Sequence, residues 1–177
     1  MYPYNLGILF SEVLDGKAHR PALNYPDASI SYSELSQSVE ALSSLLIQKN
    51  CERGDVIAIG HNKRSLSYAL MLACLRLGVA YVNIDVASPV KRTSNILQVS
   101  EVSILFYDDL TYEDGMKELA VANSCELLLL EEDILPEVSS VERERQQQRM
   151  RLVDGSCIAY IMFTSGSTGI PKGVAVT

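Results

Sequence analysis

The stretch Phe163-Thr164-Ser165-Gly166-Ser167-Thr168-Gly169-Ile170-Pro171-Lys172-Gly173 gathers side chains that could handle an anion. Thr164, Ser165, Ser167 and Thr168 bring hydroxyls, Gly166, Gly169 and Gly173 bring backbone freedom, and Lys172 brings a positive charge. Glycines let main-chain N–H groups close around a bound anion, and successive N–H dipoles pointing inward favour negative charge. Pro171 stiffens the turn beside the lysine. Phosphate is the ligand class this composition suits.

The spacing is not that of the common phosphate loop, which requires Gly, four residues, then Gly-Lys-Ser/Thr. Here two residues separate Gly166 from Gly169, and Lys172 is followed by Gly173 and Val174. The GxGxxG dinucleotide pattern is absent too. The alternative of a plain Gly/Ser turn between strands would suit three residues better than eleven.

The elements that must position this stretch are legible upstream. Ala22–Tyr25 and Ile30 read as two small strands joined by Pro26-Asp27-Ala28. Ser31 and Glu34 form a capping-box pattern, followed by Leu35, Val39, Leu42 and Leu46 at helical spacing. A strand Val56–Ile59, an apolar helix near Arg64–Leu77 stopped by Gly78, and a strand Ala80–Ile84 come next. Asp85 and a turn through Ser88-Pro89 lead to a helix near Val90–Val99. A strand Val102–Tyr107, a helix Glu113–Asn123 and a strand Glu126–Leu130 complete the alternation. Such alternation predicts an α/β fold: a largely parallel sheet with helices on both faces, in three layers. The segment 131–154, with Pro136, Ser139, Ser140 and a Glu/Arg/Gln run, reads as a surface linker that could be partly helical. Cys157–Phe163 reads as a buried strand feeding the loop 163–173, with an edge left open beside it. With few apolar anchors, Thr164–Gly173 is expected to be mobile without ligand.

Composition narrows the function classes. The chain has 177 residues, 47% of them hydrophobic, and a net charge of −7 from 15 basic and 22 acidic residues. An acidic chain without a broad basic stripe argues against nucleic acid as main partner. The short basic stretch of Arg143, Arg145, Arg149 and Arg151 is interleaved with Glu142 and Glu144 and reads as a solvated linker or helix face. Four cysteines without CxxC spacing, and only two histidines, make no zinc pattern. Cys74 and Cys157 are expected to be buried thiols, and reduced, cytoplasmic residence is the expectation. The N-terminus lacks a signal-peptide pattern, and no apolar run nears the roughly 20 residues that span a bilayer.

The eleven-residue stretch resembles the phosphate-loop signature of the adenylate-forming (AMP-binding) superfamily, with Phe163 where that signature has Tyr. Ile30-Ser31-Tyr32-Ser33-Glu34-Leu35 resembles the family's first core motif. Leu75-Arg76-Leu77-Gly78-Val79-Ala80-Tyr81-Val82-Asn83-Ile84-Asp85 resembles the second, with Asn83 in place of Pro. The strand before the loop, Ala159–Phe163, looks most like the adenylation domains of non-ribosomal peptide synthetases.

The resemblance implies ATP-dependent activation of a carboxylic acid, with an amino acid favoured, as an acyl-adenylate. The acyl group then passes to the phosphopantetheine of a carrier protein or to CoA. It implies ATP and Mg²⁺, and phosphate contacts from Thr164, Ser165, Gly166, Ser167, Thr168, Gly169, Lys172 and Gly173. The catalytic residues and the acid pocket are expected beyond Thr177, so the chain reads as an amino-terminal portion inactive alone. Tyr81 reads as sheet packing and Asp85 as a turn cap. An acyl-CoA ligase, or a non-catalytic α/β module binding a nucleotide or partner, are the alternatives.

Overall fold

The computed structural model describes residues 5–164 and 171–177. Its order is helix α1 (Leu6–Val13), strands β1 (Pro21–Asn24) and β2 (Ser29–Ser31), helix α2 (Tyr32–Gln48), strand β3 (Val56–Gly60), helix α3 (Ser65–Leu77) and strand β4 (Ala80–Ile84). Helix α4 (Val90–Val99), strand β5 (Ile104–Tyr107), helix α5 (Glu113–Asn123), strand β6 (Glu126–Leu129), helix α6 (Ser140–Arg151) and strands β7 (Tyr160–Thr164) and β8 (Lys172–Val176) follow.

Six strands form one sheet in the order β6-β5-β3-β4-β7-β8. The pairings among the first five are parallel, and β8 returns antiparallel along β7. β1 and β2 form a separate antiparallel pair. Alternation along each strand sends neighbouring residues to opposite faces. Ile57, Ile59, Ile104 and Phe106 join a core with Leu42 and Leu46 of α2 and Leu70 and Leu77 of α3. Ala58, Leu105 and Tyr107 join a second core with Ile96 and Leu97 of α4 and Met116 and Leu119 of α5. The expected three layers are therefore present.

Local chemistry sets the helix ends. Ser31 Oγ accepts from the Glu34 N–H, and the Glu34 carboxylate accepts from the Ser31 N–H at 2.8 Å, closing the capping box on α2. Gly78 ends α3 at φ 72°, a left-handed conformation that costs a glycine little.

Two expectations need correction, and a third is made specific. Segment 131–154, read as a surface linker that could be partly helical, carries α6 in its second half, and α6 packs on α2 and α3. Its surface is polar all round, so no apolar stripe announces it. It is anchored instead by Gln146, which is fully buried and donates from Nε2 to the Glu40 carbonyl and Ser44 Oγ, both at 2.9 Å. Next, the strand before the loop starts at Tyr160, and Cys157 stands in the turn ahead of it, part exposed, with only Cys51 and Cys74 buried. Last, β7 is paired on both sides, by β4 and β8, so the open edge belongs to β8.

Helix α1 was not anticipated. Asn5 caps it by accepting from the Ile8 N–H at 3.1 Å. The same side chain donates to the carbonyls of Met150 at 2.7 Å and Val153 at 3.1 Å, which ties α1 to the end of α6.

Candidate functional site at the end of the parallel sheet

Five parallel strands finish on one edge of the sheet, and ligands of open α/β sheets gather outside such edges. Thr164 is the last residue of β7 and Lys172 the first of β8, and the two are register partners. Both side chains are exposed at the mouth of the hairpin. The strands thus take in both ends of the 163–173 stretch: Phe163 pairs with Gly173 within the ladder. Ser165, Gly166, Ser167, Thr168 and Gly169 lie outside the described residues, and so does most of the segment expected to be mobile. Of the eight candidate contacts, the structure places Thr164, Lys172 and Gly173.

At the opposite end of β7 from this mouth, Tyr81 and Tyr160 stack with ring centroids 5.7 Å apart and 29° between planes. Tyr81 is packing, as its position in the sheet suggested, and burial pushes its hydroxyl up to about 12. Beyond the stack, Asn83, Met162 and Phe163 continue an open groove of about 350 Å³. Asp85 caps a turn: its carboxylate accepts from the Ala87 N–H at 3.0 Å and from Ser88 Oγ at 3.3 Å.

A second polar cluster on the same edge escaped the sequence reading. Asp108, buried after β5, accepts from the N–H groups of Asn62 at 2.6 Å and Arg64 at 3.2 Å and from Ser67 Oγ at 2.7 Å. Asp109 accepts from Thr111 Oγ1 at 2.7 Å, Asn62 Nδ2 at 2.8 Å and the Thr111 N–H at 3.0 Å. Those bonds, with Arg64 at 3.8 Å, hold its carboxyl down to about 2. The cluster staples the β3–α3 loop and the first turn of α3 to the end of β5. An Asp-Asp pair directly after a strand was the available signal. Among the described residues no group of three His, Cys, Asp or Glu side chains could hold a metal ion.

The model for the family described as "AMP-binding enzyme" matches residues 10–177. The chain belongs to the AMP-binding enzyme family. As a member of that family it is 31% identical over 176 residues to nonribosomal peptide synthetase 8 of Aspergillus fumigatus, over 93% of this chain and 2% of that protein. It is 31% identical over 169 residues to surfactin synthase subunit 3 of Bacillus subtilis, over 95% of this chain and 12% of that one. The chain therefore spans a small fraction of these relatives. Among solved structures, the Klebsiella oxytoca NpsA N-terminal subdomain in complex with 3-hydroxyanthranilyl-AMSN shares the fold. Its TM-score is 0.72 at 24% identity, over 97% of this chain and 40% of that one. The AMP-binding chain has no helix among its described residues long and apolar enough to cross a membrane.

Proposed function

We propose that residues 1–177 supply the triphosphate side of an ATP-dependent adenylation site, acting with further chain that brings the acid pocket and catalytic groups. The reaction joins a carboxylic acid, with an amino acid favoured, to AMP. A carboxylate oxygen attacks the α-phosphorus, an acyl–phosphate bond forms, and the bond from that phosphorus to the bridging oxygen breaks. The electron pair leaves with pyrophosphate. Negative charge therefore grows on the departing group, and donors already fixed around it lower the barrier.

In this reading Thr164, Ser165, Ser167 and Thr168 offer hydroxyl donors to the β- and γ-phosphates. Gly166, Gly169 and Gly173 let the backbone approach, and Lys172 adds a mobile positive charge. The observation that carries the reading is the pairing of Thr164 with Lys172, which sets a hydroxyl and an ammonium on either side of the phosphate-motif residues at the sheet's ligand-facing edge. Family membership over residues 10–177 supports it. Mg²⁺ is part of the expectation, but the described residues gather no ligand set for it. No step is assigned to it.

An amino acid as substrate, and a phosphopantetheine-bearing carrier as acceptor, are favoured because the relatives named above are a nonribosomal peptide synthetase and a surfactin synthase subunit. The test is acid-dependent ATP–pyrophosphate exchange by the full-length protein over a panel of amino acids and aryl and fatty acids. Exchange with an amino acid supports the reading. Exchange only with another acid, followed by transfer to CoA, would replace it with an acyl-CoA ligase, and exchange with none would remove it.

A further inference from the structure

Gly173 has been counted above among the phosphate contacts, yet its surroundings fit a different task. Its backbone does not need a glycine: the described glycines with positive φ are Gly16, Gly54 and Gly78, and Gly173 sits in an extended strand. What it needs is room. A Cβ there would stand 3.1 Å from Phe163 Cζ, 3.3 Å from Phe163 Cε1 and 3.1 Å from Ile161 Cγ2. These are separations tighter than ordinary van der Waals contact, so a neighbour would have to give way.

Phe163 is poorly placed to do so. It is the register partner of Gly173, and its ring also packs against the core beneath α4 and α5. The ring lies across the bare backbone of β8, a cross-strand arrangement known to steady glycine in an edge strand. β8 has little else to hold it, since it is the outermost strand and four of its five residues are exposed. One residue nearer the turn in each strand, Thr164 faces Lys172.

Resting on the phosphate-cradle reading above, we propose that Phe163 and Gly173 form a brace that fixes the register and spacing of the β7–β8 stem, and so places Thr164 and Lys172. Both are positioning residues; the phosphate contacts belong to their neighbours. An alanine at position 173 would press on the ring and shift the stem by several tenths of an ångström. Misplacement on the ångström scale can cost about 10²-fold in rate. Because the charge on pyrophosphate develops in the transition state, the loss should fall on kcat more than on KM for ATP.

The experiment compares wild type, Gly173→Ala, Phe163→Leu, the Gly173→Ala/Phe163→Leu double variant and Lys172→Ala in the full-length protein. Leucine lacks the Cε and Cζ atoms that the new methyl would meet. Gly173→Ala should lower kcat for exchange about 10-fold or more, with KM for ATP changing less, and the double variant, relieved of the clash but without the ring, should recover to the level of Phe163→Leu alone, above Gly173→Ala. Amide hydrogen exchange of residues 160–164 and 172–176 provides a readout independent of activity: faster in Gly173→Ala, slowed again in the double variant. Unchanged hairpin protection and unchanged kcat in Gly173→Ala would overturn the brace. A loss that Phe163→Leu fails to rescue would also overturn it, and would return Gly173 to the phosphate contacts. A wild type without exchange on any acid, with the hairpin effects intact, would sink the adenylation reading and leave the brace standing.

Discussion

Lys172 and Thr168 carry the residue-scale consequences of the adenylation reading. Lys172 is exposed at the first position of an edge strand, so its removal should leave the fold unchanged. Replacing Lys172 and Thr168 together by alanine should lower ATP–pyrophosphate exchange by about 10²-fold or more, the scale seen when a preorganised donor to developing charge is deleted. The melting temperature, measured on the same preparation, should stay within error of wild type. Asp109 gives a pH-dependent expectation. Its carboxyl is held at about 2, against an ordinary 3.8, by Thr111 and Asn62 with a smaller contribution from Arg64. The folded state therefore binds this proton less readily than the unfolded chain, and the ionised group favours folding. That contribution is fully present above the unfolded value near 3.8 and is lost as pH falls through about 2. Thermal scans of wild type and Asp109→Asn between pH 5 and pH 2 should show a shallower acid decline in the variant. Parallel slopes would refute the assignment.

At the scale of elements, α6 shows what pattern reading leaves without bounds. Helix α2 announces itself by a capping box followed by apolar residues at helical spacing. Helix α6 has the same capping box, Ser139 with Glu142, but no apolar stripe behind it. What packs is one amide, Gln146, and what flanks it are long polar side chains: Arg143 to Glu40 at 3.0 Å and Arg149 to the Cys51 carbonyl at 2.8 Å. Only the capping box could have revealed the helix. β8 was hidden for a different reason: its first two residues, Lys172 and Gly173, belong to the motif read as loop. Gln146→Ala should cost about 1–3 kcal/mol, because the Glu40 carbonyl and Ser44 hydroxyl lose a buried partner. At the other end of α3, Gly78→Ala should also destabilise, by about 1 kcal/mol or more. It forces a side chain into a left-handed conformation and sets a Cβ 2.9 Å from Arg53 Cγ and 3.0 Å from Val153 Cγ2. Thermal unfolding checks both, and an unchanged midpoint in either variant would contradict the contacts described.

Across the whole molecule, the sheet was legible because its strands are apolar runs punctuated by helix caps and glycine stops. Val56–Ile59, Ala80–Ile84 and the helix between them fall within a residue or two of the observed bounds. Their order in space was not legible. Nothing local says that β3 lies between β4 and β5, or that β7 joins the far side of β4; long-range pairing decides that. The site divides the same way. The stretch read as a phosphate motif stands out by residue types alone, whereas the Asp108–Asn62–Ser67 staple and the Phe163–Gly173 contact exist only once strands distant in sequence or paired across a turn are brought together. The fold thus presents a parallel platform that ends in a two-stranded stem, with Thr164 and Lys172 at its mouth.

The central claim is that this stem serves adenylation, and ATP–pyrophosphate exchange by the full-length protein tests it most directly. Exchange should depend on an added carboxylic acid, respond most strongly to one or a few amino acids, and fall about 10²-fold or more in the Lys172→Ala/Thr168→Ala variant. An acid-independent signal, or a double variant that exchanges as fast as wild type, would contradict it.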